Sequence, residues 1–110
     1  ENAKTHAIIE DVVEASHNGI VAWEKPSIIQ PILLRGYDDY IKTSERFEII
    51  KEFFTKNNIE FKEINSVSGN ILTKLITLTY LLDYASIYRA ILSEIDPTPV
   101  SSINFIKSKI

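Results

Sequence analysis

The first half of the chain alternates between helical apolar repeats and a short apolar run typical of a strand. In residues 5–15, apolar side chains recur at the i, i+4 spacing of a helix, with Thr5 as its N-cap. Residues 20–24 predict a second, shorter helix. Residues 27–36 are apolar and branched, and Pro31 lies among them, which favours a buried strand over a helix.

The second half begins with another helix and another strand. Residues 44–58 place an apolar face between Ser44, a suitable N-cap, and two asparagines that end the helix. That face consists of Phe47, Ile50 and Phe54. Residues 59–66 alternate loosely enough to form a second strand.

The longest predicted helix covers residues 71–95 and has apolar residues on nearly every face, so we expect it to pack on more than one side. After it, Thr98 is placed as N-cap and Pro99 as first residue of a last, short helix that runs to the C-terminus. Helices alternating with buried strands predict an α/β layered domain with a small parallel sheet flanked by helices. Two strands are too few for a complete sheet, so further partners are expected in an absent part of the chain or in a partner subunit.

Composition and charge narrow the class of protein. With 110 residues, 45% of them hydrophobic and 25% charged, the chain is expected to be one globular domain over residues 1–110. A net charge of −3 argues against nucleic-acid binding, and the absence of cysteine excludes disulfides and Cys-ligated zinc. No signal peptide and no apolar run of about 18 residues is found, which predicts a cytoplasmic protein without a membrane span. Because the chain begins at Glu1 and has no methionine, we expect it to be part of a longer protein.

Some polar residues are candidates for a metal-binding or anion-binding site. Asp38 and Asp39 follow the first predicted strand, where open α/β sheets bind Mg²⁺ or carry a phosphoacceptor, although adjacent carboxylates are also ordinary turn formers. The segment "SVSGN" before the long helix is either an anion site or a capped turn. His6 is expected to be solvated.

Lys107 and His17 are the two other candidates. Lys107 falls within the apolar stripe of the last helix, where its ammonium group either reaches solvent or points into a cleft. His17 would be the first residue after a Ser16 N-cap, where the helix dipole favours the neutral imidazole. Since a neutral imidazole both accepts and donates protons near pH 7, His17 is either an acid–base group or a surface residue at a helix start.

Four stretches, in this order, resemble one known family: "ENAK", "HNGIVAWE", "LTYLLDYASIYRAI" and "DPTPVSSINFIK". They are similar to the C-terminal half of the bifunctional phosphoglucose/phosphomannose isomerases, found mainly in archaea. That family belongs to the sugar isomerase (SIS) fold group. The resemblance extends over essentially the whole chain, and it implies a SIS-type, flavodoxin-like domain.

The resemblance also implies roles for four residues. Glu1 resembles the catalytic base that moves a proton between C1 and C2 through an enediol(ate), and His17 resembles the residue that assists ring opening from the neighbouring subunit of a homodimer. Lys107 resembles an active-site group near the ring oxygen, and Thr98 the threonine that makes room for the mannose epimer. The implied substrates, shared with glycolysis and gluconeogenesis, are glucose-6-phosphate, mannose-6-phosphate and fructose-6-phosphate, with no metal or other cofactor.

The chain departs from the family at Gly19, where the family usually has Glu. With Ser16 as N-cap, a Glu there would complete a capping box, and Gly costs on the order of 1 kcal/mol relative to Ala. We therefore expect a looser loop around His17. The family's phosphate-binding Ser/Thr loop lies in the N-terminal SIS half, which is absent, so the fragment alone is expected to be inactive.

Two alternatives stay open. The first is a non-catalytic SIS domain that binds a sugar phosphate as a regulatory sensor, because fold does not fix function. The combination of Glu1, His17 and Lys107 favours the enzyme, since a sensor needs no base for carbon chemistry. The second is a flavodoxin-like domain that binds Mg²⁺ through Asp38 and Asp39.

Overall fold

The computed structural model describes residues 2–110, which form two compact units. We call Ile8–Thr77 the sheet unit, and residues 2–7 together with Leu78–Ile110 the terminal unit. In chain order the elements are α1 (Val12–Ala15), a 3₁₀ helix (Gly19–Glu24), β1 (Ile32–Arg35), α2 (Ile41–Lys56), β2 (Lys62–Asn65), α3 (Ile71–Leu92) and α4 (Ser101–Lys107).

The sheet of the sheet unit is a parallel pair, β1 and β2, in which Leu33 lies opposite Glu63 and Leu34 opposite Ile64. Two parallel strands need a crossover, and α2 supplies it. β1 begins directly after Pro31, where the missing amide hydrogen breaks no ladder bond. The predicted α/β class with a small parallel sheet is therefore confirmed.

The core of the sheet unit lies between β1 and α2. Its buried residues are Leu33, Phe47, Ile50 and Phe54. The three residues from α2 are those that the helical spacing placed on one face, so that prediction is confirmed. Trp23 packs edge-to-face on Phe54 with ring centroids 5.3 Å apart, which ties the 3₁₀ helix to the core.

The first predicted helix is largely wrong. Only α1 is helical within residues 5–15, and its N-cap is Asp11, not Thr5. The Asp11 carboxylate accepts hydrogen bonds from the amides of Val13 and Glu14, at 2.9 and 3.1 Å. Asp is a strong cap, and the apolar residues before it find no packing partner among residues 2–110, since Ile9 is 93% exposed.

Two further caps differ from the sequence-based expectation. Ser16 is the C-cap of α1 and not an N-cap. Ser44 lies inside α2, which begins three residues earlier after Tyr40. The hydroxyl group of Ser44 accepts a hydrogen bond from Arg35 at 2.7 Å, so tertiary structure uses the group that the local sequence assigned to capping. Asn57 is the C-cap of α2, as predicted.

The terminal unit is built from most of α3, all of α4 and the segment at residues 2–7. Of the residues of α3, only Ala90 is buried, so the expectation that this helix packs on several sides is wrong within the described residues. α4 has Val100 at its N-cap position, so Thr98 caps no helix. The Thr98 amide instead donates to the Asp96 carboxylate at 2.9 Å, which closes a turn.

α3 is also the one helix in the described part of the chain that is long and apolar enough to cross a membrane, by length and composition only. The helix has 22 residues, and the most apolar 18-residue stretch within it has a mean hydropathy of 1.2. The sequence-based expectation concerned an uninterrupted apolar run, and α3 reaches this value without one. Only 6% of that stretch is buried.

Candidate functional site

The terminal unit contains an open cleft of about 580 Å³ whose two walls come from opposite ends of the chain. Lys4, Thr5 and His6 form one wall. Residues 99–103 form the other wall, and it includes the hydroxyl-bearing Ser101 and Ser102. The cleft thus combines a cation, an imidazole and several hydroxyl groups, which are donors and acceptors suited to a polyhydroxylated, anionic ligand.

The N-terminal wall is fixed to the rest of its unit by two side chains. The Lys4 ammonium donates to the Pro97 carbonyl oxygen at 3.1 Å. The Asn2 side-chain amide donates to the Ser86 hydroxyl oxygen on α3 at 2.9 Å. Lys4 has a φ of 48°, in the left-handed region that residues with a β-carbon seldom adopt.

The second wall begins at the turn that Asp96 closes. The hydrogen bond from the Thr98 amide is the main cause that lowers the pKa of the Asp96 carboxyl group, and the nearby positive charge of Lys4 lowers it further. Asp96 is therefore ionised at neutral pH and holds this turn next to Lys4.

The four predicted site residues are distributed over different parts of the chain. Glu1 lies outside the described residues. Thr98 is exposed and directly precedes the second wall of the cleft. Lys107 is exposed at the last residue of α4, in the same unit as the cleft but not in its lining. His17 is exposed and belongs to the sheet unit.

His17 does not begin a helix, contrary to the sequence-based expectation. It lies between α1 and the 3₁₀ helix, and its amide donates to the Glu14 carbonyl oxygen at 3.0 Å. Gly19 is the first residue of the 3₁₀ helix. The Glu10 carboxylate occupies the space that a β-carbon at position 19 would take, so the flexible end of Glu10 must move before a larger residue fits there.

The other polar candidates are engaged in structural contacts. Asp38 pairs with Lys74, and this ammonium lowers the pKa of the carboxyl group. Asp39 accepts a hydrogen bond from the Gly36 amide at 3.0 Å, as turn formers do. Within residues 2–110 no group of three or more His, Asp or Glu side chains is arranged to hold a metal ion.

The segment "SVSGN" forms a capped turn. The Asn70 side chain accepts a hydrogen bond from the Thr73 amide at 2.9 Å, which satisfies a donor in the first turn of α3. The Ser66 hydroxyl group accepts from the Tyr37 amide at 2.9 Å, and so links the ends of the two strands. Of the two interpretations left open for this segment, the structure supports the turn.

Sequence reasoning missed most of the cleft. The sequence predicts only a solvated His6, and no local pattern singles out Lys4, Ser101 or Ser102. His6 is indeed exposed, but it also lines the cleft. The available signal was that hydroxyl-rich and cationic residues occur at both ends of the chain; nothing local indicated that these ends meet.

A comparison with sequence families decides the class of this domain. The model of the family described as "Bacterial phospho-glucose isomerase C-terminal SIS domain" matches residues 1–110, the whole chain. The chain belongs to this family. The resemblance found in the sequence and the SIS-type fold are both confirmed.

Two curated relatives are similar over the whole chain. The bifunctional phosphoglucose/phosphomannose isomerase of Caldicellulosiruptor bescii is 32% identical over 114 residues, which are 100% of this chain and 34% of that protein. The protein of the same name from Aquifex aeolicus is 25% identical over 113 residues, 100% of this chain and 35% of its own length. The SIS domain thus spans about a third of the length of these relatives. No solved structure matches the chain.

Proposed function

We propose that this SIS domain is part of an isomerase that interconverts glucose-6-phosphate or mannose-6-phosphate with fructose-6-phosphate. The observation that carries the proposal is the cleft of the terminal unit, whose first wall begins three residues after Glu1 in sequence and whose second wall directly follows Thr98. The names of the two curated relatives support the same substrates.

The proposed reaction needs one base that removes a proton beside the carbonyl group and returns it to the neighbouring carbon. Glu1 is assigned this role: its carboxylate takes the proton from C2 of the open-chain aldose and gives it back at C1 of the enediol(ate). The cleft hydroxyl groups of Thr5 and Ser101 are of the kind that bind sugar hydroxyl groups. No step requires a metal or a redox cofactor, because the proton and the electron pair stay with substrate and base.

Ring opening precedes this transfer and needs a proton donor at the ring oxygen and an acceptor at the C1 hydroxyl group. His17 and Lys107 are assigned to this pair, and Thr98 to the space for the mannose epimer. The cleft holds neither His17 nor Lys107 in its lining. The proposal therefore places His17 in the active site of a neighbouring subunit, within a cytoplasmic homodimer.

The remaining part of the site is assigned to a second SIS half that carries the phosphate-binding loop. Its support is the length of the curated relatives, of which this chain spans 34% and 35%. An isolated chain of this length would supply the base without the group that holds the phosphate. We therefore expect the isolated domain to be inactive.

The test is turnover of the complete protein on both aldose phosphates, with Glu1→Gln and Glu52→Gln as a matched pair. Glu52 is exposed on α2 and pairs only with Lys56 among the described residues, so its neutralisation leaves catalysis intact. Loss of a general base costs about 10²–10⁴-fold in rate, and we expect this loss for Glu1→Gln alone. Equal rates for the two variants would refute the role of Glu1.

Two further measurements separate the alternatives. In D₂O, the proton held by the Glu1 carboxyl group exchanges with solvent in competition with its return to C1, so partial incorporation of deuterium at C1 of the fructose-6-phosphate is expected. Deuterium at C1 would exclude a direct hydride shift between the two carbons, which takes nothing from solvent. Saturable binding of sugar phosphate by the complete protein, with no turnover of either substrate, would favour the alternative function, a regulatory sensor, over the isomerase.

A further inference from the structure

One side chain joins the two walls of the cleft. Lys4 belongs to the N-terminal wall, and its ammonium donates to the Pro97 carbonyl oxygen, two residues before the second wall begins. The two residues are 93 positions apart in sequence, so nothing in the local chain brings them together. We propose that Lys4 is a positioning residue, which fixes the segment that follows Glu1 for proton transfer; this rests on the proposed function of Glu1.

The backbone at Lys4 supports this role. Its φ of 48° is unfavourable for a residue with a β-carbon, and such a conformation persists only where surrounding contacts hold it. Lys4 is exposed, so packing does not supply those contacts. The hydrogen bond to Pro97 is the contact that the structure shows for this side chain.

The partner of Lys4 is itself held in place. The Asp96 carboxylate accepts a hydrogen bond from the Thr98 amide. This bond closes the turn that presents the Pro97 carbonyl oxygen. The carboxylate of Asp96 and the ammonium of Lys4 attract each other across this turn. The Pro97 carbonyl oxygen is the atom that Lys4 contacts, and the negative charge of Asp96 on the same turn favours a cation over a neutral side chain there.

A second anchor lies on the other side of the short segment. Asn2 donates to Ser86 on α3, so residues 2 and 4 are both tied, one to a helix and one to a turn. Asn2 is the covalent neighbour of Glu1. With both anchors in place, residues 2–4 have little freedom. Misplacement of a reacting group by about 1 Å can cost about 100-fold in rate.

The experiment compares Lys4→Met, Lys4→Arg and Lys42→Met in the complete protein. Lys42 is the matched control, because its exposed ammonium also makes one contact, to Glu45 at 2.8 Å, on α2 of the sheet unit. We expect Lys4→Met to lower kcat by about 10- to 100-fold, the cost of misplacing a reacting group, with KM changed by less than about threefold. Lys4→Arg keeps a cationic donor and recovers most of kcat, and Lys42→Met behaves as wild type.

Hydrogen–deuterium exchange of the same proteins gives a readout that does not depend on activity. Pro97 and Pro99 carry no amide hydrogen, so the readout is the Thr98 amide, which donates to Asp96. It is expected to exchange several-fold faster in Lys4→Met, and at the wild-type rate in Lys4→Arg and Lys42→Met. Ser86→Ala removes the second anchor without changing Lys4, and a fall in kcat at constant KM is expected there as well. This variant tests the second anchor only; if Lys4→Met does not fold, Lys4→Gln takes its place, with the same expected fall in kcat.

Several results would overturn the role of Lys4. A rise in KM at constant kcat would make it a substrate-binding group, and an unchanged kcat with faster exchange would make the contact structural only. Failure of Lys4→Arg to recover kcat would also contradict a positioning role. These outcomes differ from failure of the proposed function, in which wild type and Lys42→Met are both inactive on sugar phosphates.

Discussion

The sheet unit and the terminal unit bury their apolar residues to very different degrees. The sheet unit encloses four buried apolar side chains, whereas Ala90 is the one buried apolar residue that the structure describes in the terminal unit. Yet the cleft lies in the terminal unit. The part of the domain with the candidate chemistry is thus the part that its own residues stabilise least.

The difference follows from topology. In the sheet unit, β1, α2 and β2 close on each other, so one face of the sheet is covered from within the unit. The other face is not: Ile32 is 53% and Leu34 42% exposed, although parallel sheets are normally covered on both sides. In the terminal unit α3 exposes a long series of large apolar residues, such as Tyr88 and Ile91. Both surfaces are suited to contact with further protein.

The largest effect is expected from the centre of the sheet-unit core. Phe54 is 3% exposed and contacts three aromatic rings, so Phe54→Ala is expected to destabilise the chain by about 3–5 kcal/mol. Urea unfolding of the chain measures this. Ile49→Ala on the same helix is the control, because Ile49 is 62% exposed and should cost less than about 1 kcal/mol. Equal losses would show that the sheet unit has no specific core.

Arg35 is expected to have the next largest effect. Its guanidinium group donates to Glu48 at 2.7 Å, to Glu63 at 2.9 Å and to Ser44, and it stacks on the Phe47 ring. Arg35→Met keeps the aliphatic stem but leaves the two carboxylates with Lys51 alone, at a cost of about 2 kcal/mol. Arg35→Lys restores the positive charge but not the several donors of the planar guanidinium group. It is therefore expected to recover only part of the lost free energy of unfolding, as measured with urea. Full recovery would mean that geometry plays no part.

A smaller effect is expected on the stability of the chain at acidic pH. Lys51, followed by Arg35, lowers the pKa of the Glu63 carboxyl group below its usual value. A carboxyl group with a lowered folded-state pKa adds stability that is fully present above its unfolded value of about 4.3 and is lost as the pH falls through the folded value. We expect Glu63→Gln to flatten this acid dependence of the urea midpoint. Glu24→Gln, at an exposed site of the sheet unit without an ion pair among the described residues, should leave it nearly unchanged.

The smallest effect is expected from α3. Ile91 is 60% exposed, so Ile91→Ala should cost no more than about 0.5 kcal/mol in this chain. In the complete protein we expect the same substitution to cost about 2 kcal/mol, because further protein covers the helix. Thermal unfolding of both forms measures the difference. An unchanged cost in the complete protein would show that α3 stays exposed, and binding to lipid vesicles would then assign it to a membrane surface.

The sequence correctly predicted the buried face of a helix that packs against a single sheet. The face of α2 was evident because Phe47, Ile50 and Phe54 recur at helical spacing, and all three are buried. Prediction failed at the N-termini of helices, where Ser44 and Thr98 had the right chemistry but other partners. Whether a hydroxyl group caps a helix depends on which donors the fold brings to it, and Arg35 reaches Ser44 only after β1 and α2 have packed together.

The candidate site shows the same limit. Family membership could be inferred from four ordered stretches of sequence, because their residue types and spacing are retained along the chain. The contact between Lys4 and Pro97 could not, because 93 positions separate the two residues and neither has a local signal for the other.

The sequence by itself determined the order of the main elements, the apolar face of α2 and the family of the domain, since these follow from periodicity and residue identity. Only the tertiary structure decided that the N-terminal segment and the turn after α3 form one cleft, that Lys4 bridges its walls, and that the described residues of this chain leave α3 uncovered. Those features depend on contacts between distant parts of the chain, whose free energy appears only when the whole unit has folded.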